Sequence, residues 1–549
     1  MAVVFFALLW NHAEMTCLFS RFPYRLSQIL VVVVLLIGFF PDPTFAAGLN
    51  NIPVGDWKEE AFIKILNYTA RPYLQSTRPF KRREVARILL EIKNNPEYDG
   101  YFDDRFFKAH FSALEKALRK DIEELKTFGA NGKFDISFHP VDQIKIEAAK
   151  LVSEGEKYYK DLGDLCRDCD QGQFWISHQL QWENHLSAYF QESGVITRSH
   201  WDERKELDER EEFFVEEGYG KIQLFNVEIE VGRDHMWWGS GYDGTLMLTN
   251  NAPAFDLIKL SNFAPFTLPW YFKYLGPINL AAFITQLEKE RYNPKPDLSG
   301  IRVSIYPFEF IELGATRVLM SGGENAYSPK WYDIETIWSA RKEHDTTELN
   351  LDQKGAVDWR LPITQLRRWT PINLLAIYYE LGMEMLWWEE IMGRDYYIRP
   401  SMRAQIYGLM VDLGRIEFHA EHTDTVTVWD DPRSYFYYKH WKFPSGYTYK
   451  GENIGHHIGG NAKQFYFETK AWITPELRTS VHYSWQIDRF LPGWTYTYQK
   501  GGMELRYAFT DAGMIDLAYE YGDLVSERWG LGEWDSSHHS MNLNFSMDF

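Results

Sequence analysis

Leu477-Arg-Thr-Ser-Val-His-Tyr-Ser-Trp-Gln-Ile-Asp488 reads with a period of two. Leu477, Val481, Tyr483, Trp485 and Ile487 fall on one face, and Arg478, Ser480, His482, Ser484, Gln486 and Asp488 on the other. Successive side chains of a strand point to opposite faces, so this alternation predicts a β-strand. The end of the chain repeats it. Met541, Leu543, Phe545, Met547 and Phe549 alternate with Asn542, Asn544, Ser546 and Asp548. Further sets run through Phe225–Val231, Ile301–Tyr306 and Met503–Phe509.

A half-buried sheet in a soluble sandwich also alternates. Here the polar face carries full charges and histidines in strand after strand, which suits a wet lumen with the apolar face toward lipid. That arrangement also accommodates a mean hydropathy of −0.39 in a membrane protein. Thr474-Pro475-Glu476 and Thr510-Asp511-Ala512-Gly513 read as tight hairpin turns, whereas Asp430 to Gly451 is a long, aromatic, polar connection. Short turns on one side and long loops on the other are the habit of outer-membrane barrels. Phe549 closes the last strand, where such barrels carry an assembly signal. Residues 133–549, at roughly 22–25 residues per strand with its connection, predict about 16 to 18 strands. We take 18, so the expected fold is mainly β: a transmembrane antiparallel barrel over residues 131–549.

Two segments precede it. Arg21 and Arg25 lead into an apolar run from Ile29 to Phe40, too short to cross a bilayer as a helix. With small residues up to Ala46 it reads as a secretory signal over residues 1–46, with Met15 as an alternative start. Residues 47–130 then turn helical. Asp56 caps one helix, Arg83–Lys93 places Val85, Ile88, Leu89 and Ile92 in a stripe, and Asp103–Lys126 aligns Phe107, Phe111, Leu114, Leu118, Ile122 and Leu125. Three amphipathic helices are expected, forming a separate small bundle on the periplasmic side.

Composition removes other classes. A formal charge of −19 argues against nucleic-acid binding, which needs a basic face. Three cysteines do not make a disulfide scaffold. The 21 Trp, 33 Tyr and 37 Phe fit membrane girdles and sugar-stacking surfaces. Tyr435, Tyr437, Tyr438, Trp441, Tyr447 and Tyr449 lie on one long connection with Lys439, His440 and Lys442 interleaved, and are candidates for binding polysaccharide. Trp494, Tyr496 and Tyr498 make a second patch. Girdle positions at strand ends would account for the same rings. Cys166-Arg-Asp-Cys169 most simply closes a short disulfide in an exported chain. His419, Glu421 and His422 invite a metal reading, but on a strand His422 faces away from the other two. No metal or other cofactor is expected. No catalytic motif selects a pair of carboxylates, so no enzyme chemistry is expected either.

Gly232-Arg-Asp-His-Met-Trp-Trp-Gly-Ser-Gly-Tyr-Asp-Gly-Thr-Leu-Met-Leu-Thr-Asn-Asn-Ala-Pro253 resembles the hallmark segment of the Wzi capsule-assembly family. Within it Gly232, Arg233, Trp237, Trp238, Gly239, Asn250, Asn251, Ala252 and Pro253 carry the likeness. Leu275-Gly-Pro277, Leu298–Arg302 and Pro307–Gly314 are similar too, and Ser76–Ala86 resembles the family's helical lead-in. The resemblance runs from about residue 55 to the C-terminus. It implies an 18-stranded outer-membrane barrel with a periplasmic helical bundle. It further implies a lectin-like, non-enzymatic role in holding capsular or other long polysaccharide at the cell surface, with cell-surface polysaccharide and outer-membrane lipid as partners. The sequence does not fix the oligomeric state, and a monomer is the expectation. Insertions around 196–217 and 341–368 and the Cys166/Cys169 pair depart from it. An export channel for glycan, or a secreted β-rich glycan hydrolase, are the competing readings. Trp237-Trp238-Gly239 suits stacking on a sugar, but reads first as a Gly-flanked bend at a strand end with the Trp pair in the girdle or folded inward. Asn250-Asn251-Ala252-Pro253 suits hydroxyl recognition, but Asn and Pro are turn formers first.

Overall fold

The computed structural model describes residues 49–127, 136–155, 168–182, 186–201, 206–324, 351–390, 396–426, 437–440, 442–491, 494–510, 512–528 and 532–549. The expected signal segment, Tyr435, Trp441 and Cys166 lie outside them, as does the side chain of Cys169.

Eighteen strands form one closed antiparallel barrel in which each strand pairs with its sequence neighbours and the last pairs with the first. They are β1 (Ile136–Gly155), β2 (Asp168–Trp182), β3 (Leu186–Trp201), β4 (Glu206–Leu224), β5 (Val227–Asp234), β6 (Phe255–Asn262), β7 (Ile278–Gln286), β8 (Asp297–Phe308) and β9 (Ile311–Ser321). There follow β10 (Leu351–Ile363), β11 (Leu374–Glu390), β12 (Tyr396–Asp412), β13 (Ile416–Asp424), β14 (Ala462–Trp472), β15 (Leu477–Leu491), β16 (Trp494–Ala508), β17 (Gly513–Arg528) and β18 (Gly532–Asp548). Closure leaves no strand edge unpaired, which a lipid environment demands. The alternation read from the sequence sorts by face. Val481, Tyr483, Met503, Leu505, Met541 and Leu543 are exposed on the outside, while Arg478, Ser480 and Ser484 are buried within. At the closing seam Met547 pairs with Ile144, and the Phe549 N–H donates to the Asp142 carbonyl.

Among the described residues the helical region holds four α-helices rather than three: α1 (Trp57–Thr69), α2 (Arg82–Asn94), α3 (Arg105–Ala117) and α4 (Arg119–Thr127). The stripe expected to be one helix from Asp103 breaks at Leu118. There Arg82 bonds the Ala117 carbonyl at 3.3 Å and the Asp121 carboxylate at 3.2 Å. Asp56 caps α1 as expected, accepting from the Lys58 N–H. The stripes close on a core of Phe62, Ile65, Val85, Leu89, Phe107 and Phe111.

The bundle does not stand apart from the barrel; it is bolted to the end that carries the tight turns. Lys64 bridges Asp412 and Glu417 at 2.7 and 3.1 Å. Lys58 pairs with Asp548 at 2.9 Å. Glu60 meets Lys470, Arg478 and Arg506. Burial pushes the Glu60 carboxyl up, but those three cations together hold it well below the usual carboxylate range. His110 of α3 sits edge-on to Trp472 at 5.5 Å. Burial first, and Lys64 second, push its imidazole down to about 4. A histidine whose folded pKa lies below its unfolded value of 6.5 contributes stability that is fully present above the upper value and drains as pH falls toward the lower. His110→Gln is therefore expected to flatten the acid side of the bundle's thermal-stability profile between pH 6.5 and 4, read by scanning calorimetry. An unchanged slope would place the acid sensitivity elsewhere.

Candidate functional site in the lumen

Two connections that leave the long-loop end turn back into the barrel. The first, residues 235–254, begins where Trp237–Trp238 pairs with Thr77–Arg78 of the helical region. Trp238 is buried and meets Phe283 edge-on at 5.3 Å, and the Gly239 N–H donates to the Ser76 carbonyl. The Arg78 guanidinium covers the Trp237 ring at 5.4 Å. The second connection contributes residues 437–440 and 442–461. Tyr437, Tyr438, Tyr447 and Tyr449 are all buried there, in one apolar cluster with Leu246, Met247, Leu248 and Ile454. Tyr438 donates to the Leu246 carbonyl at 2.7 Å and Tyr447 to the Met247 carbonyl at 3.0 Å. Asn251 bonds the Asn453 carbonyl, tying the two connections together, and Ala252 is buried with them. Gly232 and Arg233 lie on β5, Arg233 gripping Asp256 through two bonds; Asn250 and Pro253 are exposed.

The aromatic stretch expected as a surface loop is thus, in its described part, an internal plug. Its apolar rings must be hidden from water, and the barrel interior hides them. The Trp-Trp pair and the Asn-Asn turn belong to the same plug.

The plug is lopsided. It packs against inward residues of β6 to β12: Leu257, Phe283, Leu298, Met320, Ala356, Tyr378 and Ile406. Carboxylates on that wall and on the adjoining β13 hold its backbone. Glu380 accepts from the Leu246 N–H at 2.9 Å, and Glu421 from Tyr242 and Asp243. The opposite wall, β14 to β18, keeps its central polar side chains partly in solvent. Glu520 sits at its centre, 3.0 Å from Lys500, 3.2 Å from His482 and 3.8 Å from His538. Rings flank this charge group: Tyr498 is stacked on His538 at 5.9 Å, and Tyr466 on His482 at 6.3 Å. Across from them the plug presents His457, 3.3 Å from Gln464 and 3.5 Å from Asp243. His457 and Lys500 keep about a third of their side-chain surface in solvent, and Glu520 and His482 about a quarter. Tyr496 lies on the same inward face, opposite Asp488, and is half-buried. The side chain of Trp494 is outside the described residues.

Flat rings beside carboxylate, amide and imidazole groups, wet but sheltered, match what a pyranose offers: apolar faces to stack on and a rim of hydroxyls to bond. Of this wall the sequence singled out Tyr496 and Tyr498. It missed His482, Lys500, Glu520 and His538 as a group, because they come from four strands. Their only signal is that each falls on the polar face of its alternation. His419 and Glu421 face the lumen and His422 stacks outside on Phe465. Asp243, His456 and His457 bring ligand-type atoms within 4.8 Å of one another. Both His456 ring nitrogens are already engaged, by Thr423 and by the Ile458 N–H, so the group is a hydrogen-bonded joint in the plug.

A closed, outwardly apolar barrel with a docked helical cap and a polar inner wall defines an outer-membrane β-barrel. The capsule assembly protein Wzi family is matched over residues 148–488, well over half of the chain, and the chain belongs to that family. A Klebsiella pneumoniae protein described as an uncharacterized 55.8 kDa protein in the cps region is 27% identical over 172 residues, which is 30% of this chain and 33% of that one. The chain thus spans about a third of the length of that curated relative. Wzi of Escherichia coli is described as an outer-membrane protein involved in group 1 capsule assembly and a carbohydrate-binding β-barrel. It superimposes with a TM-score of 0.62 over 91% of this chain and 100% of its own, at 16% identity. At that identity the likeness is one of fold.

Proposed function

We propose that this protein binds capsular or extracellular polysaccharide at the cell surface and anchors it there without cutting or making it. The helical cap would lie on the periplasmic side and the long connections outside. Family membership supports a role in capsule assembly. The observation that carries the binding reading is the wet wall of Tyr496, Tyr498, Lys500 and Glu520 facing the plug inside the lumen. The plug weighs against an export channel. The continuous lipid-facing belt weighs against a secreted hydrolase, which would partition into soluble fractions without detergent.

Anchoring needs affinity without turnover, and a long polymer multiplies weak contacts by avidity. Deleting the gene is expected to leave polymer synthesis intact while polymer moves from cells to medium. Tyr496→Ala with Tyr498→Ala removes two rings at about 1 kcal/mol each, the scale of aromatic contacts, or roughly thirtyfold in affinity. The pair should release polymer as the deletion does, at unchanged barrel yield. Synthesis stopping in the deletion strain would favour a channel. A double variant that retains polymer like wild type would remove this wall as the site.

A further inference from the structure

The β6–β7 connection, residues 263–277, carries the most exposed aromatic run among the described residues. Its short helix Trp270–Leu275 leaves Trp270 83%, Tyr271 88%, Phe272 60% and Tyr274 68% exposed. Water is a poor solvent for four adjacent rings, and a contiguous exposed apolar patch marks a contact surface. The projection is built in. At the base, Asn226 accepts from the Ala264 N–H and donates to its carbonyl, and Phe266 bridges Ile278. At the exit, Gly276 has φ +68°, and a Cβ there would stand 1.9 Å from the Tyr306 carbonyl oxygen, so only glycine lets the chain cross so closely. Trp270 itself is held at φ 61°, an outlier for a bulky residue. A pinned base and a strained, outward tip do not describe a slack loop.

The chemistry of the tip names its partner. In a chain of net charge −19 no acidic residue occurs between Asp256 and Glu288, and Lys273 stands among the rings, its ammonium 5.3 Å from the Tyr274 centroid. Trp, Tyr and a lysine are the residues that settle at a bilayer interface, rings at headgroup depth and ammonium on phosphate. The patch is also continuous with the lipid-facing belt. The neighbouring turns at the same end carry Phe225 on one side and the stacked pair Phe308/Phe310, 5.4 Å apart, on the other. We propose that the 263–277 connection is an interfacial anchor, seating Trp270, Tyr271, Phe272 and Tyr274 in the phospholipid leaflet at the tight-turn end of the barrel.

The test uses the full chain, with Cys17, Cys166 and Cys169 changed to Ser, carrying Tyr271→Cys labelled with an environment-sensitive fluorophore. Phe272→Cys serves as a second probe, and Met541→Cys as a mid-belt control. The proteins are reconstituted into phosphatidylethanolamine/phosphatidylglycerol vesicles containing phosphatidylcholine spin-labelled at a shallow or a deep acyl position. The connection probes should lose more fluorescence to the shallow label than to the deep one, the reverse of Met541→Cys, and should be protected from aqueous iodide. Iodide quenching without lipid quenching at both probes would overturn the proposal by placing the patch in water. Probe-to-probe energy transfer that grows with protein density, without lipid quenching, would overturn it in favour of a second copy as the occupant.

Discussion

Lys64→Met is expected to undock the helical cap. Lys64 is 2% exposed, and the carboxylates it bridges, Asp412 and Glu417, are 0% and 9% exposed. Its ammonium also lies 4.3 Å from the Trp472 ring centroid. A methionine of similar length keeps the packing and removes the charge, leaving two buried carboxylates facing each other. Breaking a buried ion pair from one side costs about 3–5 kcal/mol. The variant's cap should become cleavable by protease under conditions in which the wild-type cap resists, while the barrel keeps its heat-modifiable band. The triple variant Lys64→Met, Asp412→Asn, Glu417→Gln removes the stranded charges and should recover much of the resistance. A single variant as resistant as wild type would show that the other bridges, through Lys58 and Glu60, suffice to hold the cap.

The barrel was legible in the sequence because alternation is a local property. A lipid-facing strand writes its two environments into neighbouring residues, so β15 and β18 can be read from one end to the other. Spacing confined the count to about 16 to 18, and the barrel takes the upper value. The cap's stripes were legible for the same reason, but not the break at Leu118, which depends on Arg82, 36 positions earlier. The docking of the cap was also hidden. Lys58, Glu60 and Lys64 lie within the first two turns of α1 and read as ordinary solvated charges; only the closed barrel brings Asp548, Arg478 and Asp412 to them. The plug was the larger miss. An aromatic, polar connection outside a barrel and one folded inside have the same composition, since each needs rings and hydrogen-bonding groups. Glycine was the available signal. Gly460 is packed so tightly that a Cβ would stand 1.7 Å from the Tyr437 carbonyl oxygen, a crowding that a solvated loop does not produce.

The plug also separates anchor from channel. In a planar bilayer the wild-type barrel should pass little current, because Tyr437, Tyr438, Tyr447 and their partners occupy the lumen. Tyr438→Ala should open it. The Tyr438 hydroxyl donates to the Leu246 carbonyl at 2.7 Å and accepts from the His456 N–H at 3.0 Å, so it joins the two inward connections. Its ring lies 4.5 Å from that of Tyr437 and is stacked on Tyr447 at 5.6 Å. Truncation to alanine leaves a cavity worth about 3–5 kcal/mol. It also strands a buried carbonyl and a buried N–H, at about 1–3 kcal/mol each. The barrel wall, held by its own ladder, should survive while the plug loosens into intermittent conductance. Tyr438→Phe keeps the ring and loses only the hydroxyl, so it should conduct rarely and lie between the two. Steady current through the wild type would contradict a filled lumen and favour an export channel. A silent Tyr438→Ala barrel with unaltered melting would mean that the plug is held chiefly by the carboxylate contacts at Glu380 and Glu421, and the same measurement on Glu380→Ala would then be the one to show current.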